Sequence, residues 1–109
     1  MMTKFNIDID DELVCRRLTS LINQVFKILP MQENNDEFLP IYIASLEREM
    51  LGYRDLILAL GKDDQYLSLL AVLEYIGNHQ CDTTIVRREV FKAINILKKL
   101  HDRYIKGAA

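Results

Sequence analysis

Two cysteines, two prolines, four glycines, two histidines and no tryptophan occur in this 109-residue chain. So little Gly and Pro leaves few sites for tight turns and predicts long regular elements. The shortage of cysteine excludes a disulfide-dense scaffold, and Cys15 and Cys81 read as reduced thiols rather than a bridge. No apolar run approaches the roughly 20 residues that a bilayer crossing requires, so no membrane association is expected. The opening stretch MMTKFNIDIDDE lacks the apolar centre of a secretory signal. The expected location is the cytoplasm.

Groups that carry chemistry are equally sparse. His79, Cys81 and Asp82 form an H-x-C-D cluster, but zinc takes four ligands and no second pair accompanies these. His101 and Asp102 are adjacent on an expected helix, where neighbours point about 100° apart and should not form a dyad. Cys15 precedes Arg16 and Arg17, which favours a thiolate, yet it borders an apolar face and is expected to pack. Glu47 and Glu49 stand two apart and should not share a face. Asp8, Asp10 and Asp11 lack the glycine turn and distal glutamate of a calcium loop. There is no glycine-rich phosphate loop. The chain is therefore expected to have no catalytic residue, no metal, no cofactor and no enzymatic activity.

What is present is a pattern. Half the residues are hydrophobic and 28% are charged, as in a folded domain, and the length suits one domain spanning residues 1–109. Apolar residues recur at helical spacing in four segments and in no strand-like alternation. The first helix is expected over about 11–29, with Val14, Leu18, Leu21, Ile22, Val25 and Leu29 on one face and Pro30 as its stop. The second is expected over 37–60, with Asp36 as N-cap, Pro40 in the first turn and Gly61 as C-terminal cap. Its stripe, Leu39, Ile43, Leu46, Met50, Tyr53, Ile57 and Leu60, steps by 4 and 3 alternately, a heptad rhythm. Gly52 interrupts it as a surface glycine or at a close approach.

The third helix, 64–76, has Asp63 or Asp64 as cap and Gly77 with Asn78 as stop. Tyr66, Leu69, Leu70, Leu73 and Ile76 make one apolar face; Leu67, Ala71 and Val72 make much of a second, so a central position is expected. The fourth, 84–105, buries Val86, Val90, Ala93, Ile94, Leu97, Leu100 and Tyr104, with Asp82, Thr83 or Thr84 as cap. Residues 1–7 and 106–109 are expected to fray. The tyrosines and phenylalanines are expected in the core and at its rim. The fold class is all-α: a compact four-helix bundle, antiparallel, with short connections. Ile41, Leu51, Leu56 and Leu58 fall off the second helix's stripe, which leaves a homodimer open.

Charge is uneven. Residues 1–64 carry 7 basic and 12 acidic side chains, and residues 65–109 carry 7 basic and 4 acidic. At 100° per residue, Arg88, Lys92, Lys99, Arg103 and Lys106 fall within about 60° of helix surface, with Asn95 beside them and Arg87 and Lys98 on the far flank near Phe91. Such a stripe suits an acidic protein surface or a line of phosphates. Against DNA stand a pI near 5.6, no second basic cluster, and a connection, GNHQCDTT, that looks longer than a helix-turn-helix turn. The preferred expectation is a non-enzymatic protein-binding module, of a neutralising, immunity-like or regulatory accessory kind. The segments DIDDE and ENNDE would face a basic partner, and the cationic stripe an acidic one. The alternative is a nucleic-acid-associated regulator that uses the same stripe, with Thr84, Arg87 and Arg88 near base edges.

Overall fold

The computed structural model describes residues 1–108, and the side chains of residues 1–105. The chain is all-α, with six helices among the described residues: α1 (Asp11–Phe26), α2 (Ile28–Glu33), α3 (Leu39–Leu56), α4 (Leu58–Gly61), α5 (Asp64–Asn78) and α6 (Thr83–Ala108). The four expected helices become six because two of them are broken.

The first break corrects the expectation that Pro30 ends a helix. Pro30 lies inside α2, at its third residue, where the missing N–H has no intrahelical acceptor to lose. The proline ring excludes the carbonyl four residues earlier, that of Phe26, and the interruption falls there. Lys27 keeps right-handed angles (φ −64°, ψ −17°), so the chain kinks and continues. α2 then ends in a Schellman motif. Asn35 takes φ 52°, Asp36 N–H donates to the Met31 carbonyl (2.9 Å), and Asn35 N–H donates to that of Gln32 (3.1 Å).

The second break is at Ile57, which is extended (φ −102°, ψ 113°). Its cause is the N-terminal segment, which does not fray. Residues 1–9 fold back through a turn at Asn6 (φ 60°), with Met2 bridged to Asp8 and Thr3 bridged to Ile57. Lys4 N–H donates to the Leu56 carbonyl (2.9 Å), and Leu58 N–H donates to that of Met2 (3.1 Å). The helix opens to accept this strap, and Lys4 fixes it from outside through Asp55 (2.8 Å). Gly61 also departs from expectation. It ends α4 without a positive φ, and a Cβ there would lie 3.0 Å from the Arg54 carbonyl.

Elsewhere the periodicity holds. One contiguous cluster of buried side chains draws on all six helices and includes every expected core residue of α6 except the half-buried Tyr104. The heptad stripe of α3 and α4 faces this cluster, with Tyr53 half-buried at its edge. Contacts between helices run antiparallel. On α1 and α6, Cys15 faces the His101 carbonyl and Phe26 faces Phe91. On α3 and α5, Met50 meets Tyr66, while Ile43 and Glu47 meet Gly77. Gly77 therefore lies inside α5, at a close helix approach, rather than stopping it. The Tyr66 ring is fully buried, and its hydroxyl donates to the Met50 carbonyl at 2.6 Å. Among the described residues no buried side-chain nitrogen or oxygen lacks a partner.

α6 also runs past its expected end to Ala108, so frayed 106–108 is not what the backbone shows; Ala109 lies outside the described residues. A further correction concerns the phenylalanines. All four are exposed: Phe5 and Phe38 lie in connections, and Phe26 and Phe91 sit one position beyond the buried Val25 and Val90.

Two glycine substitutions separate open space from close approach. Gly52 is exposed with nothing within 4 Å of a built Cβ. Gly52→Ala should raise stability by about 1 kcal/mol, and Gly61→Ala, blocked by backbone, should lower it by about 1–2 kcal/mol. Chemical denaturation midpoints at constant m-value check both.

Candidate functional site

The cationic stripe stands where helix geometry puts it, on the side of α6 opposite the core. Arg88, Lys92, Asn95, Lys99 and Arg103 are all exposed, and the Lys106 side chain lies outside the described residues. Arg88, Lys92, Asn95 and Lys99 line a shallow groove with Phe91, and Gln65 and Ser68 of α5 form its other bank.

Exposure does not make the members equivalent. Arg88 curls onto its neighbour Glu89, with Nε and Nη2 at 3.3 and 3.2 Å from the mostly buried carboxylate. Arg103 is half exposed, yet its guanidinium donates to Asp63 Oδ2, whose side chain is only 5% exposed. Arg103 is therefore a structural tie between α6 and the start of α5. Lys92 and Lys99 make no ion pair among the described residues. They and Asn95 are the unengaged part of the ridge.

Asp63 is the most heavily bonded side chain beside it. Oδ1 accepts from the Gln65 and Tyr66 amides at 2.9 and 3.3 Å and so caps α5. Oδ2 accepts from Arg103 and from the Tyr104 hydroxyl. Burial by itself would raise the Asp63 pKa. The hydrogen bonds from Tyr104, the two amides and Arg103 outweigh it and hold the carboxyl below its ordinary range. Burial and the same carboxylate push the Tyr104 hydroxyl pKa well up. The local sequence marks the cap but not its pairing with Arg103 and Tyr104, which lie 40 and 41 residues away.

The acidic segments are largely engaged inside the molecule. The Met1 amino group donates to Asp8 (2.9 Å), to Asp11 (2.8 Å) and to the Ile9 carbonyl. Asp10 caps α1 through the Glu12 amide, and Glu12 pairs with Arg16. Glu33 pairs with Arg87 at 3.6 Å. Asp36 accepts from the Phe38 amide and closes the turn ahead of α3 rather than capping the helix itself.

The turn between α5 and α6 is shorter than the sequence suggests, His79–Asp82, within the range of a helix-turn-helix turn. The helices it joins nevertheless lie side by side. Ser68 shares a groove with Lys92, and Asp63 reaches Arg103, so α5 covers one flank of α6 along its length. This is an antiparallel αα-hairpin. Arg87, placed near base edges in the DNA reading, is paired with Glu33.

The reactive cluster in that turn disperses. His79 stacks on Tyr75 at 4.0 Å and bonds its carbonyl, Asp82 caps α6 through the Ile85 amide, and Cys81 is exposed alone. Among the described residues no three His, Cys, Asp or Glu side chains gather as metal ligands. His101 and Asp102 do meet, at 3.3 Å, because flexible side chains bridge the 100° between adjacent positions; the pair lies at the surface. Cys15 is buried, and that burial, with Asp11 and Glu12 nearby, raises its thiol pKa. Among the described residues no helix is long and apolar enough to cross a membrane. Comparison of the chain with protein families, characterised proteins and solved structures finds no match.

Asp63→Ala removes a cap and strips two buried-side donors of their acceptor, and should cost about 2–4 kcal/mol. Arg103→Ala, with the amides and Tyr104 still bonded, should cost about 1 kcal/mol. Because the folded-state pKa lies below the ordinary 3.8, this stabilisation is complete at neutral pH and is lost as pH falls through the depressed value. Melts from pH 7 to pH 2 should fall more steeply below about pH 4 in the wild type than in Asp63→Asn.

Proposed function

We propose that this chain is a non-catalytic protein-binding module that docks through the ridge of α6 onto an acidic surface of another protein, in a neutralising or regulatory role. The observation that carries the reading is the state of Lys92, Asn95 and Lys99. They are exposed and unengaged, and they project from a helix whose opposite side is locked into the core. A fixed backbone sets their spacing before any partner arrives, which limits the ordering that binding requires. Exposed Phe91 beside them offers an apolar anchor within the same groove. Charge in this arrangement steers encounter and fixes orientation, while the aromatic supplies contact area.

The antiparallel packing of α5 on α6 favours a protein over duplex DNA. Entry of a recognition helix into the major groove requires that its leading turn stand clear of the preceding helix. Here the turn holds α5 against α6, and α5 covers one flank of α6.

Purified wild-type protein and the Lys92→Glu/Lys99→Glu variant, matched in melting temperature, provide the test as baits in source-cell extract at 50 mM salt. An acidic protein retained by the wild type should fall at least tenfold on the variant, and equal retention overturns the reading. Binding of both to a 20-base-pair duplex is measured in parallel. Tight duplex binding by the wild type that weakens steeply with salt and vanishes in the variant would assign the ridge to nucleic acid instead.

A further inference from the structure

Three stripes run side by side over one face of the molecule, and α5 is the middle one. Its exposed residues Leu67, Ala71 and Tyr75 recur every four positions and so form one apolar row. Leu67 and Ala71 belong to the second apolar face that the sequence places on this helix; its third member, Val72, is buried in the core, and the row that remains is uncovered within one chain. Toward α3 the row passes into a shallow groove floored by Leu51, Leu67, Leu70 and Ala71. Glu47 and Glu74 stand over this groove. Partial burial, and then the charge of Glu74, raise the Glu47 pKa. Neither carboxylate has an ion-pair partner among the described residues. On the α6 side, Gln65 and Ser68 of α5 share a groove with Phe91 and the cationic ridge.

We propose that this face binds a second copy of the chain, with the ridge of each copy on the Glu47–Glu74 groove of the other. The inference rests on the reading of the ridge as a protein-docking surface and names its occupant. An apolar row with opposite charge on its two sides is complementary to itself under one symmetry only. A twofold axis along α5 turns each ridge onto the partner's carboxylates, twice per dimer, and brings the two apolar rows together. An axis across α5 would set ridge on ridge and carboxylate on carboxylate. The closed arrangement is isologous: what one copy donates, it also receives.

Both α3 and α6 run antiparallel to α5, so the groove and the ridge flank it lengthwise on opposite sides. Arg54 closes one end of the groove.

Charge exchange tests the inference with this chain as its own probe. Lys92→Glu and Glu74→Lys each alter an exposed side chain, and unchanged melting temperatures would show that both variants fold. Sedimentation equilibrium at 10–200 µM protein and 50 mM salt should find a wild-type dimer and at least a tenfold weaker dimer for each variant alone. An equimolar mixture of the two should restore a 1:1 dimer, because each opposed pair of charges is again complementary. A wild-type monomer at 200 µM, a dimer indifferent to both substitutions, or a mixture that stays monomeric overturns the proposal. If the wild type is monomeric while the ridge still retains an acidic protein in the bait experiment, the dimer fails and the docking reading stands.

Discussion

The register of α5 against α6 depends on one carboxylate. Asp63 stands where α4 turns into α5, and its two oxygens accept from the first amides of α5 and from two side chains near the end of α6. A buried carboxylate with one partner would be a liability, because its desolvation exceeds what a single bond returns. Four donors change the balance, and the depressed pKa is the mark of that. The bonds also join the N-terminal end of α5, positive by its dipole, to the anion that best complements it. The ridge and its flank on α5 are therefore placed by this one junction, while the Glu47–Glu74 groove is placed by the packing of α3 on α5.

That junction alters the meaning of the charge pattern. Read along the chain, five cations within about 60° of one helix look like a single device. In the folded chain Arg103 is turned to Asp63 and Arg88 to Glu89, while the lysines between them remain unengaged. The same separation occurs among the acids. Asp8, Asp10, Asp11 and Glu12 look like an acidic patch, but they bond the strap, the α1 cap and Arg16. Glu47 and Glu74, which belong to no acidic run, face a groove and make no ion pair among the described residues. Local charge density is thus a poor guide to interaction surface. What matters is which charges the fold leaves unneutralised.

How much was legible follows the range of the forces involved. Helix existence, the apolar faces and the Asp63 cap depend on residues within about four positions of one another, and these are legible in the sequence. The break at Ile57 does not, because its cause is a backbone bridge to Thr3, and nothing within a turn of Ile57 announces it. Pro30 interrupts the helical ladder as its chemistry requires but does not end the helical path, because a short helix restarts with the proline in its first turn. The phenylalanines misled for another reason. Phe26 and Phe91 neighbour core valines, and a rotation of 100° separates a buried position from an exposed one. The α6 stripe was legible as exposed and cationic, but the division between its structural and its free members was not.

The face centred on α5 is narrow, and this constrains what it does. Leu67, Ala71 and Tyr75 present one small, one medium and one large side chain, two of them still more than half covered by the parent molecule. Contact of that size contributes modestly, and the charges at its margins contribute orientation more than affinity. A pairing of two copies through it is therefore weak and salt-sensitive rather than obligate. The lysines that would meet an acidic partner are the same ones that would lie on the second copy's groove, and they cannot do both at once. If both proposals hold, self-association and partner binding would be competing equilibria of one surface, and the concentration of the chain would set how much of the ridge is free. On the proposed reading, high concentration would store the chain with its cations covered, and a better acidic ligand would draw the pair apart by mass action alone.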